Sequence, residues 1–427
     1  MLQIQTIREK SDFVIKELKR KNFDAATIVD QILSLDAQRK AAQLEHDNLK
    51  AEKNAASKEI GQLFKSGQVD AANQLKENMG ALGEKIDALV EQMRQFEQAL
   101  EAELVQLPNI PHSSVPSGNS DEDNEVVFQV EEVPTLDDTA LPHWELAAKY
   151  QLIDFETGVK LTGSGFPLYT GKGARFQRAL ISYFLDQATE AGYLEVQPPH
   201  LVNEASAFGT GQLPDKEGQM YHATQDNFYL IPTAEVPITN IHRDDLFKEA
   251  DLPKKYTGYT PCFRREAGSY GKDVRGLNRL HQFDKVEIVQ FVLPEQSYDA
   301  LEDMKNHVEG LLKNLGLPYR ILRLCGGDVS FASALTFDFE TYSAAQKRWL
   351  EVSSVSNFEA FQSNRMKIRY RPNSTEGKAK TQLIHTLNGS ALALPRIVAT
   401  LLENNQSPEG IHVPEVLQPY TGFSMIR

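Results

Sequence analysis

Two neighbouring stretches near the start of the chain show the periodicity of a coiled coil. In the second stretch, apolar residues alternate spacings of four and three at Leu75, Met79, Leu82, Ile86, Leu89, Met93, Phe96 and Leu100. In the first stretch, apolar residues recur every seven positions at Leu35, Ala42, Leu49, Ala56 and Leu63, with Ile32 and Ile60 closing the ends. Because the turn signal Ser66-Gly67 separates them, the pattern predicts two long helices folded into an antiparallel arm over about residues 30–104.

The arm has two interpretations. An isolated coiled coil usually serves dimerisation or scaffolding, although here the turn within the chain already supplies each helix with a partner. Arg39, His46 and Lys53 occupy the alternate seam positions of the first helix. These side chains can extend outward and leave a solvated basic edge.

The hydrophobic pattern changes after the arm. Residues 107–125 concentrate Pro, Ser, Gly and acidic residues, which predicts a linker or surface loop. Beyond them the runs YLIPT, YTGYTPCFRRE, LHQFDKVEIVQFV, TFDFETY and RWLEVSS alternate as strands do, with few helices between them. The prediction is an α+β chain with an N-terminal domain at 1–106, a linker at 107–125 and a domain at 126–427 built on a mostly antiparallel sheet flanked by helices.

Composition narrows the class of protein. A chain of 427 residues with 41% hydrophobic content is long enough for an enzyme-sized core plus an appendage. No run approaches the roughly 20 apolar residues of a membrane span, and the first residues lack a signal-peptide pattern. We therefore expect a cytoplasmic protein without a membrane partner. Cys262 and Cys325 stand far apart without CxxC or His-rich neighbours, which argues against a disulfide framework and a cysteine-based zinc site.

Charge is distributed unevenly. The formal net charge of −14 opposes non-specific binding to nucleic acid. One segment departs from this balance with six basic residues against three acidic ones: Arg264, Arg265, Lys272, Arg275, Arg279 and Lys285 against Glu266, Asp273 and Asp284. Such a segment is a candidate phosphate-binding surface. The usual phosphate loops are missing, since GFPLYTGKG at 165–173 fails the Walker spacing and no GxGxxG follows a strand.

The basic segment is predicted to form a hairpin. Strand alternation places Cys262, Arg264 and Glu266 on one face of the first strand and Phe283, Lys285 and Glu287 on one face of the second. The Gly-rich stretch between the strands carries Arg275 and Arg279. Guanidinium groups can bind phosphate oxygens bidentately, and an aromatic ring can stack on a purine. A solvated face with cross-strand Arg/Glu pairs explains the same residues equally well.

Three ordered motifs resemble those of class II aminoacyl-tRNA synthetases. The segment CFRREAGSYGKDVRGLNRLHQFDKVE resembles motif 2, and in this extended form it is similar to the seryl-tRNA synthetases. GYLEVQPPHLV at 192–202 is similar to motif 1, which ends here at Pro199 and forms the dimer interface in that family. NGSALALPRIVATLLENNQ at 388–406 is similar to motif 3. With the arm, PTAEVP at 232–237 and EVSS at 351–354, the resemblance covers essentially the whole chain.

Motif 3 departs from the common pattern in one respect. This motif is often glycine-rich before its arginine, whereas this chain has Ala391 and Pro395 before Arg396. Proline suits the first turn of a helix because its missing N–H would be unpaired there. The departure concerns the fine positioning of Arg396 and not its presence.

The resemblance implies a reaction in two steps. The serine carboxylate attacks the α-phosphate of ATP to give seryl-adenylate and pyrophosphate, and a ribose hydroxyl at the 3′ end of tRNA then takes the acyl group. It implies ATP and Mg²⁺, L-serine, tRNA(Ser) and also tRNA(Sec), and a homodimer. No catalytic triad is needed, because phosphoryl transfer depends on positioning and charge neutralisation.

The resemblance also assigns site residues. For ATP it implies Arg264, Arg265, Glu266, Arg279, Leu280, Phe283, Glu351, Val352, Ser353, Ser354 and Arg396. For serine it implies Thr233, Ala234, Glu235, Arg264, Glu287 and Ser390. Mg²⁺ would be bound by Glu351 and Ser354, and tRNA would contact the arm lysines Lys50, Lys53, Lys58, Lys65 and Lys76.

Particular roles follow from the same resemblance. Arg264 would hold the α-phosphate and the serine carboxylate, and Phe283 would stack on adenine. Glu266 would bind the adenine or the ATP, and Arg396 would hold the γ-phosphate. For Thr233 and Glu235 a polar turn is the simpler interpretation without this context.

Two rival functions remain. A synthetase-like paralogue would load an amino acid onto a non-tRNA carrier, but such paralogues tend to lack or remodel the arm, and the heptads here are intact. A coiled-coil interaction protein with an inactive core would have no reason to keep all five of the residues Arg264, Glu266, Glu287, Glu351 and Arg396. The chain also lacks the Cys/His ligands expected of a zinc-dependent seryl enzyme.

Overall fold

The computed structural model describes residues 1–216, 218–266, 274–373 and 379–427. The chain divides into two compact units. The N-terminal unit comprises Leu2–Lys19 and Phe23–Pro108, and the C-terminal unit comprises Met1, Arg20–Asn22 and Asn109–Arg427.

The N-terminal unit is helical. Its helices are α1 (Ile4–Glu9), α2 (Ser11–Leu18), α3 (Ala26–Lys65) and α4 (Val69–Leu104). Helices α3 and α4 pack along each other and are joined at Ser66–Gly67, where Gly67 adopts φ +76°, a conformation that favours glycine. The seam positions predicted on α4 are buried or half-buried in the structure. The predicted long helical hairpin is confirmed.

One charged residue is buried at the base of this hairpin. Asp36 on α3 lies 2.9 Å from Arg8, 3.3 Å from Arg39 and 3.1 Å from Lys40. Burial opposes the negative charge, but hydrogen bonds from Lys40, Arg39 and Arg8 outweigh it and lower the pKa of Asp36. Arg39 therefore takes part in an ion-pair cluster at the seam.

The C-terminal unit combines helices and strands. Its helices are α5 (His143–Lys149), α6 (Phe155–Leu161), α7 (Gly171–Glu190), α8 (Glu204–Thr210), α9 (Glu235–Thr239), α10 (Ser297–Asn314), α11 (Phe361–Met366), α12 (Leu394–Asn404) and α13 (Gln418–Thr421). The longer strands are β1 (Glu125–Gln129), β9 (Lys254–Phe263), β10 (Gln282–Val292), β11 (Tyr319–Arg323), β12 (Leu335–Ser343), β13 (Arg348–Glu359) and β16 (His385–Ala393). The shorter strands are β2 (Ile153–Asp154), β3 (Leu168–Tyr169), β4 (Leu194–Glu195), β5 (Leu201–Asn203), β6 (His222–Ala223), β7 (Phe228–Leu230), β8 (Leu246–Lys248), β14 (Arg369–Arg371), β15 (Gln382–Leu383), β17 (Gln406–Ser407), β18 (Gly410–His412) and β19 (Met425–Ile426).

A large sheet organises this unit. Among the described residues it has eight strands in the order β1-β11-β12-β13-β16-β10-β9-β4. Neighbouring strands pair antiparallel except β4 and β9, which pair in parallel. The predicted α+β class with a mostly antiparallel sheet is confirmed.

Amphipathic helices cover the sheet. On α10 the residues Ala300, Met304, Val308 and Leu311 recur at helical spacing and are buried in the main core. Helices α7 and α12 contribute to the same core. These helices bury their apolar sides against the central strands β10, β13 and β16. Within the described ranges, no helix is long and apolar enough to cross a bilayer.

Candidate active site

The predicted serine-binding residues meet in a buried pocket. Glu287 on β10 lies opposite Ser390 on β16 in the strand register. Thr233 comes just before α9, and Glu235 is the first residue of that helix. All four side chains are buried. The Thr233 hydroxyl donates to Glu287 Oε2 at 3.1 Å and accepts from the Glu235 backbone N–H at 3.2 Å.

Two further polar residues complete this pocket. Lys285 Nζ lies 2.6 Å from Glu287 Oε2, and both side chains are buried. Gln362 Nε2 donates to Glu235 Oε1 at 2.6 Å, and Thr386 Oγ1 donates to Gln362 Oε1 at 2.7 Å. Sequence reasoning placed Lys285 on the same strand face as Glu287 but gave it no role. Nothing in the local sequence pattern pointed to Gln362, which lies 127 positions from Glu235.

The carboxyl group of Glu235 is held in an unfavourable environment for charge. Burial first, and then the negative charge of Glu287, raise the pKa of Glu235 to about 7. The hydrogen bond from Gln362 opposes this shift but does not cancel it. Because the ionised form of Glu235 is costly without a ligand, a bound ammonium group would relieve that cost.

This environment predicts that Glu235→Gln stabilises the ligand-free protein in a pH-dependent way. The pKa of Glu235 is higher in the folded than in the unfolded state, so its contribution is fully present below about pH 4.5 and is lost as pH rises to about 7. Above that pH the neutral amide avoids a cost on the order of 3 kcal/mol. Thermal unfolding at pH 5 and pH 8 should give a variant-minus-parent difference that is larger at pH 8.

The exposed Glu409 supplies the control for this measurement. Glu409→Gln should leave unfolding close to that of the parent at both pH values, since surface substitutions have small effects. A Glu235→Gln difference that is the same at pH 5 and pH 8 would contradict the proposed burial of charge.

The hairpin arginines are positioned differently from the prediction. Strand β9 ends at Phe263, and Glu266 adopts φ +50°. The prediction that strand alternation continues through Arg264 and Glu266 is therefore wrong. The Arg264 backbone N–H donates to the His281 carbonyl at 2.9 Å, and its guanidinium lies 5.2 Å from the Phe283 ring centroid. Arg264 Nε also donates to the Pro232 carbonyl at 3.4 Å. Tertiary contacts therefore place Arg264 beside Pro232, next to the buried Thr233.

An arginine–glutamate ion pair involves the return side of the hairpin. Arg279 forms an ion pair with Glu266. Residues 267–273, which include Lys272 and Asp273 of the basic segment, lie outside the described residues. Arg265 is exposed, and its backbone N–H donates to the Gln219 carbonyl at 2.9 Å.

The motif 3 arginine reaches the neighbouring strand. Pro395 stands in the first turn of α12, as predicted. Arg396 Nη1 donates to the Glu351 carbonyl at 2.8 Å and lies 3.5 Å from Glu351 Oε2. Arg396 Nε donates to the Asn278 carbonyl at 3.2 Å. These contacts join α12, β13 and the end of the hairpin loop.

An oxygen-rich cluster surrounds Glu351. Ser354 Oγ lies 3.5 Å from Glu351 Oε1, and Asp338 on β12 faces Ser354 in the strand register. Asp338 Oδ1 is buried with no hydrogen-bond partner among the described residues, and burial first and then the charge of Glu351 raise the pKa of Asp338. The described ranges contain no grouping of three His, Cys, Asp or Glu side chains arranged as a complete metal site. Two carboxylates and a hydroxyl nevertheless suit Mg²⁺ where phosphate oxygens supply further ligands.

Other predicted residues point their side chains into the core. Ala234, Leu280 and Val352 are buried, and the Ser353 hydroxyl donates to the Ser390 carbonyl at 2.6 Å. Only the backbone of such residues is suited to touch a ligand.

The arm lysines lie on the two long helices. Lys50, Lys58, Lys65 and Lys76 are exposed, and Lys53 is half-buried. Ser57 lies 3.9 Å from Met79 Sδ, so the arm residues of α3 and α4 pack in antiparallel register around this point. These four exposed lysines are spread along both helices of the arm.

Two family models match the chain. Residues 1–111 match the seryl-tRNA synthetase N-terminal domain. Residues 219–405 match the class II core domain of the tRNA synthetases for G, H, P, S and T. The two matches occur in the order that the motifs predicted.

Full-length relatives agree with these models. A serine–tRNA ligase of Salinibacter ruber is 52% identical over 427 residues, covering 100% of this chain and 99% of the relative. One of Chlorobium phaeovibrioides is 47% identical over 430 residues with the same coverage. A seryl-tRNA synthetase of Pyrococcus horikoshii, solved in complex with ATP, superposes with a TM-score of 0.92 at 32% identity, covering 100% of this chain and 99% of that chain. The chain therefore belongs to the seryl-tRNA synthetase family of class II enzymes, the serine–tRNA ligases.

Proposed function

We propose that this enzyme attaches L-serine to tRNA(Ser) through a seryl-adenylate formed from ATP. The observation that carries the proposal is the position of Arg264. Its guanidinium donates to the carbonyl of Pro232, the residue next to Thr233, and so lies at the edge of the acidic pocket. The carboxylate of a serine bound there would contact Arg264 while the rest of the amino acid occupied the pocket.

The pocket is suited to a small polar amino acid. Glu235 and Glu287 provide negative charge for an ammonium group, and Thr233 and Ser390 provide hydroxyls beside them. A site that pairs with a hydroxyl rejects alanine, because buried polar groups are left unsatisfied when the hydroxyl is missing. We assign Thr233, Glu235, Glu287 and Ser390 to serine, with Ala234 contributing backbone.

The arginines are suited to the phosphates of ATP. We assign Arg264 to the α-phosphate and the serine carboxylate, and Arg396 to the γ-phosphate. Phe283 offers its ring to adenine, and Glu266 and Arg279 complete the nucleotide site as an ion pair. Preorganised cations of this kind act where negative charge develops in the transition state.

We assign Mg²⁺ to Glu351 and Ser354. The half-buried Asp338 beside Ser354, with its Oδ1 atom buried, would supply a third oxygen ligand. When bound, the ion would neutralise phosphate charge. This chain's own contribution is to orient those oxygens and to hold Arg396 next to Glu351 through the 2.8 Å contact to its backbone.

The remaining partners are proposed on the same basis. We propose that residues 1–106 bind tRNA through the arm at 30–104, that 107–125 link the domains and that 126–427 catalyse. A homodimer through the motif 1 segment is supported by the exposed Leu194 and Leu201, at 62% and 47% exposure, on strands β4 and β5. We propose a cytoplasmic location for the reaction and tRNA(Sec) as a second acceptor.

The decisive test is ATP–pyrophosphate exchange with serine, alanine, threonine, glycine and cysteine. We expect serine to exceed the others by about 100-fold or more in kcat/KM. Equal activity with another amino acid would contradict the serine assignment. Exchange without charging of tRNA(Ser) would favour the carrier-loading paralogue.

Glu287→Ala should weaken serine binding far more than ATP binding. The carboxylate lies in the pocket with Thr233 and Lys285, away from Arg396 and Glu351 in the contacts observed. Loss of a buried charge-assisted contact should raise the KM for serine by about 10- to 100-fold, with the KM for ATP changed only a few-fold. Glu295→Gln, at an exposed carboxylate, is the control. Equal losses for both substrates would show that the amino-acid pocket lies elsewhere.

A further inference from the structure

A completely buried histidine–glutamate pair lies next to the nucleotide site. The side chains of His143 and Glu403 have 0% exposure, and His143 Nδ1 lies 2.7 Å from Glu403 Oε1. The same oxygen accepts from the His143 backbone N–H at 2.9 Å and from Gln346 Nε2 at 2.9 Å. Ser343 donates its hydroxyl to the other carboxylate oxygen.

The hydrogen bonds define the state of the imidazole. The Leu277 backbone N–H donates to His143 Nε2 at 2.8 Å, so this nitrogen carries no proton. The proton is therefore on Nδ1, which donates it to Glu403. Although burial opposes its charge, hydrogen bonds from His143 and Ser343 lower the pKa of Glu403, so the acceptor is a carboxylate. The ring therefore has one donor nitrogen and one acceptor nitrogen, and each has a hydrogen-bond partner.

On the acceptor side of the ring, His143 binds the segment 277–279, which includes Arg279 and contacts Arg396. Leu277 and Asn278 are buried, and the Asn278 carbonyl accepts from Arg396 Nε at 3.2 Å. The next residue, Arg279, pairs with Glu266. Gly276 adopts φ +63°, and a Cβ there would lie 2.3 Å from His143 Nε2, so the backbone packs directly on the ring.

The donor side of the ring connects to the helix of motif 3. Glu403 is near the end of α12, and Arg396 is near its start. Gln346 accepts from Asn278 Nδ2 at 3.0 Å while its own Nε2 donates to Glu403. Two separate hydrogen-bond routes therefore tie the segment 277–279 to the same helix.

We propose that His143 is a positioning residue for ATP, which fixes the segment 277–279 against helix α12 and so sets the spacing of Arg279 and Arg396. This inference rests on the nucleotide-binding roles proposed above. The uncharged ring touches no substrate. It acts by accepting the Leu277 N–H, because an unpaired N–H at this buried position would make the segment move towards water.

Two amide variants separate this role from simple packing. The oxygen of His143→Gln can take the place of Nε2 and accept from Leu277, whereas the amide nitrogen of His143→Asn can only take the place of Nδ1 and donate to Glu403. Both lose the imidazole ring, so a packing role would lower the thermal stability of both variants and would not raise the KM for ATP selectively. We expect His143→Asn to raise the KM for ATP by about tenfold, with the KM for serine within about threefold of the parent, and His143→Gln to restore the KM for ATP to within about threefold.

The measurement is pyrophosphate exchange on the full-length enzyme, with thermal unfolding recorded for each variant. Equal effects of the Asn and Gln variants, or equal effects on serine and ATP, would overturn the proposal. If His143→Asn does not fold, His143→Met replaces it as the test, because its side chain is about as long as that of glutamine but offers the Leu277 N–H only a weak sulfur acceptor. An ATP-selective rise in KM for that variant supports the positioning role, and parental KM values overturn it.

The same preparation distinguishes failure of the proposed function from failure of the role of His143. If the parent shows no serine-dependent exchange, the proposed function fails. If the parent is active and His143→Asn keeps the parental KM for ATP, only the role of His143 fails.

Discussion

Arg264→Ala should reduce the rate of serine-dependent pyrophosphate exchange by about 100-fold or more. A charge-assisted bidentate contact to the reacting phosphate acts mainly in the transition state, and its loss costs about 3 kcal/mol or more. The guanidinium lies beside both Phe283 and the carbonyl of Pro232, a position from which it would contact both the α-phosphate and the serine carboxylate in the proposed arrangement. The rate is measured at saturating serine and ATP, so that the effect on kcat is separated from weaker binding.

The fold should survive this substitution, because the Arg264 side chain is exposed. Arg264→Lys retains the charge but not the forked donors, so its loss of rate should be intermediate. Arg371→Ala, at an exposed arginine on β14, should behave as the parent. Exchange by Arg264→Ala within a few-fold of the parent would refute its assignment to the α-phosphate.

Removal of the outer arm should abolish most tRNA charging and leave adenylate chemistry near the parental rate. All residues assigned to serine and ATP belong to the C-terminal unit, whereas the arm lysines are on α3 and α4. Contacts to tRNA phosphates would disappear with the arm, and their contribution should fall steeply with salt.

The structure indicates where to cut within the predicted arm of 30–104. Replacing residues 46–90 with a short Gly-Ser turn removes all five candidate lysines and keeps Asp36 with its ion pairs to Arg8, Arg39 and Lys40. The cut also respects the antiparallel register marked by the contact of Ser57 with Met79. The buried base of the hairpin should therefore stay folded.

Three quantities are measured on one preparation: pyrophosphate exchange, aminoacylation of tRNA(Ser) and the oligomeric state. A matched full-length variant replaces the four exposed lysines with glutamine, namely Lys50, Lys58, Lys65 and Lys76. This variant should lose part of its tRNA charging, and the remaining charging should depend less on salt. If the shortened protein is monomeric, the arm is a dimeriser. If it charges tRNA as well as the parent, tRNA is recognised elsewhere.

The fold predictions depended on local periodicity in the sequence. The spacing of four and three on α4 predicted its buried seam, and the turn signal at Ser66–Gly67 predicted the reversal, because both depend only on residues close in sequence. The alternating runs likewise predicted the antiparallel strands β10, β12 and β13. Motif order then indicated the family, which the comparisons confirmed.

Tertiary contacts decided the rest of the site. Alternation placed Arg264 and Glu266 on a strand, but β9 ends at Phe263, and Arg264 is positioned by His281 and Pro232. The contact of Gln362 with Glu235 spans 127 positions.

The buried histidine makes contacts across still longer separations. His143 meets Leu277 across 134 positions and Glu403 across 260. No local pattern contains such pairs, because burial and hydrogen-bond partners arise only when distant segments pack together. The amino-acid sequence thus determined which helices and strands form and which chemistry they carry. Packing of α5 against α12, and of α12 against the sheet, determined the partners of His143 and the position of Arg396. Contacts between α9 and β10 brought Glu235 near Glu287 and so raise the pKa of Glu235.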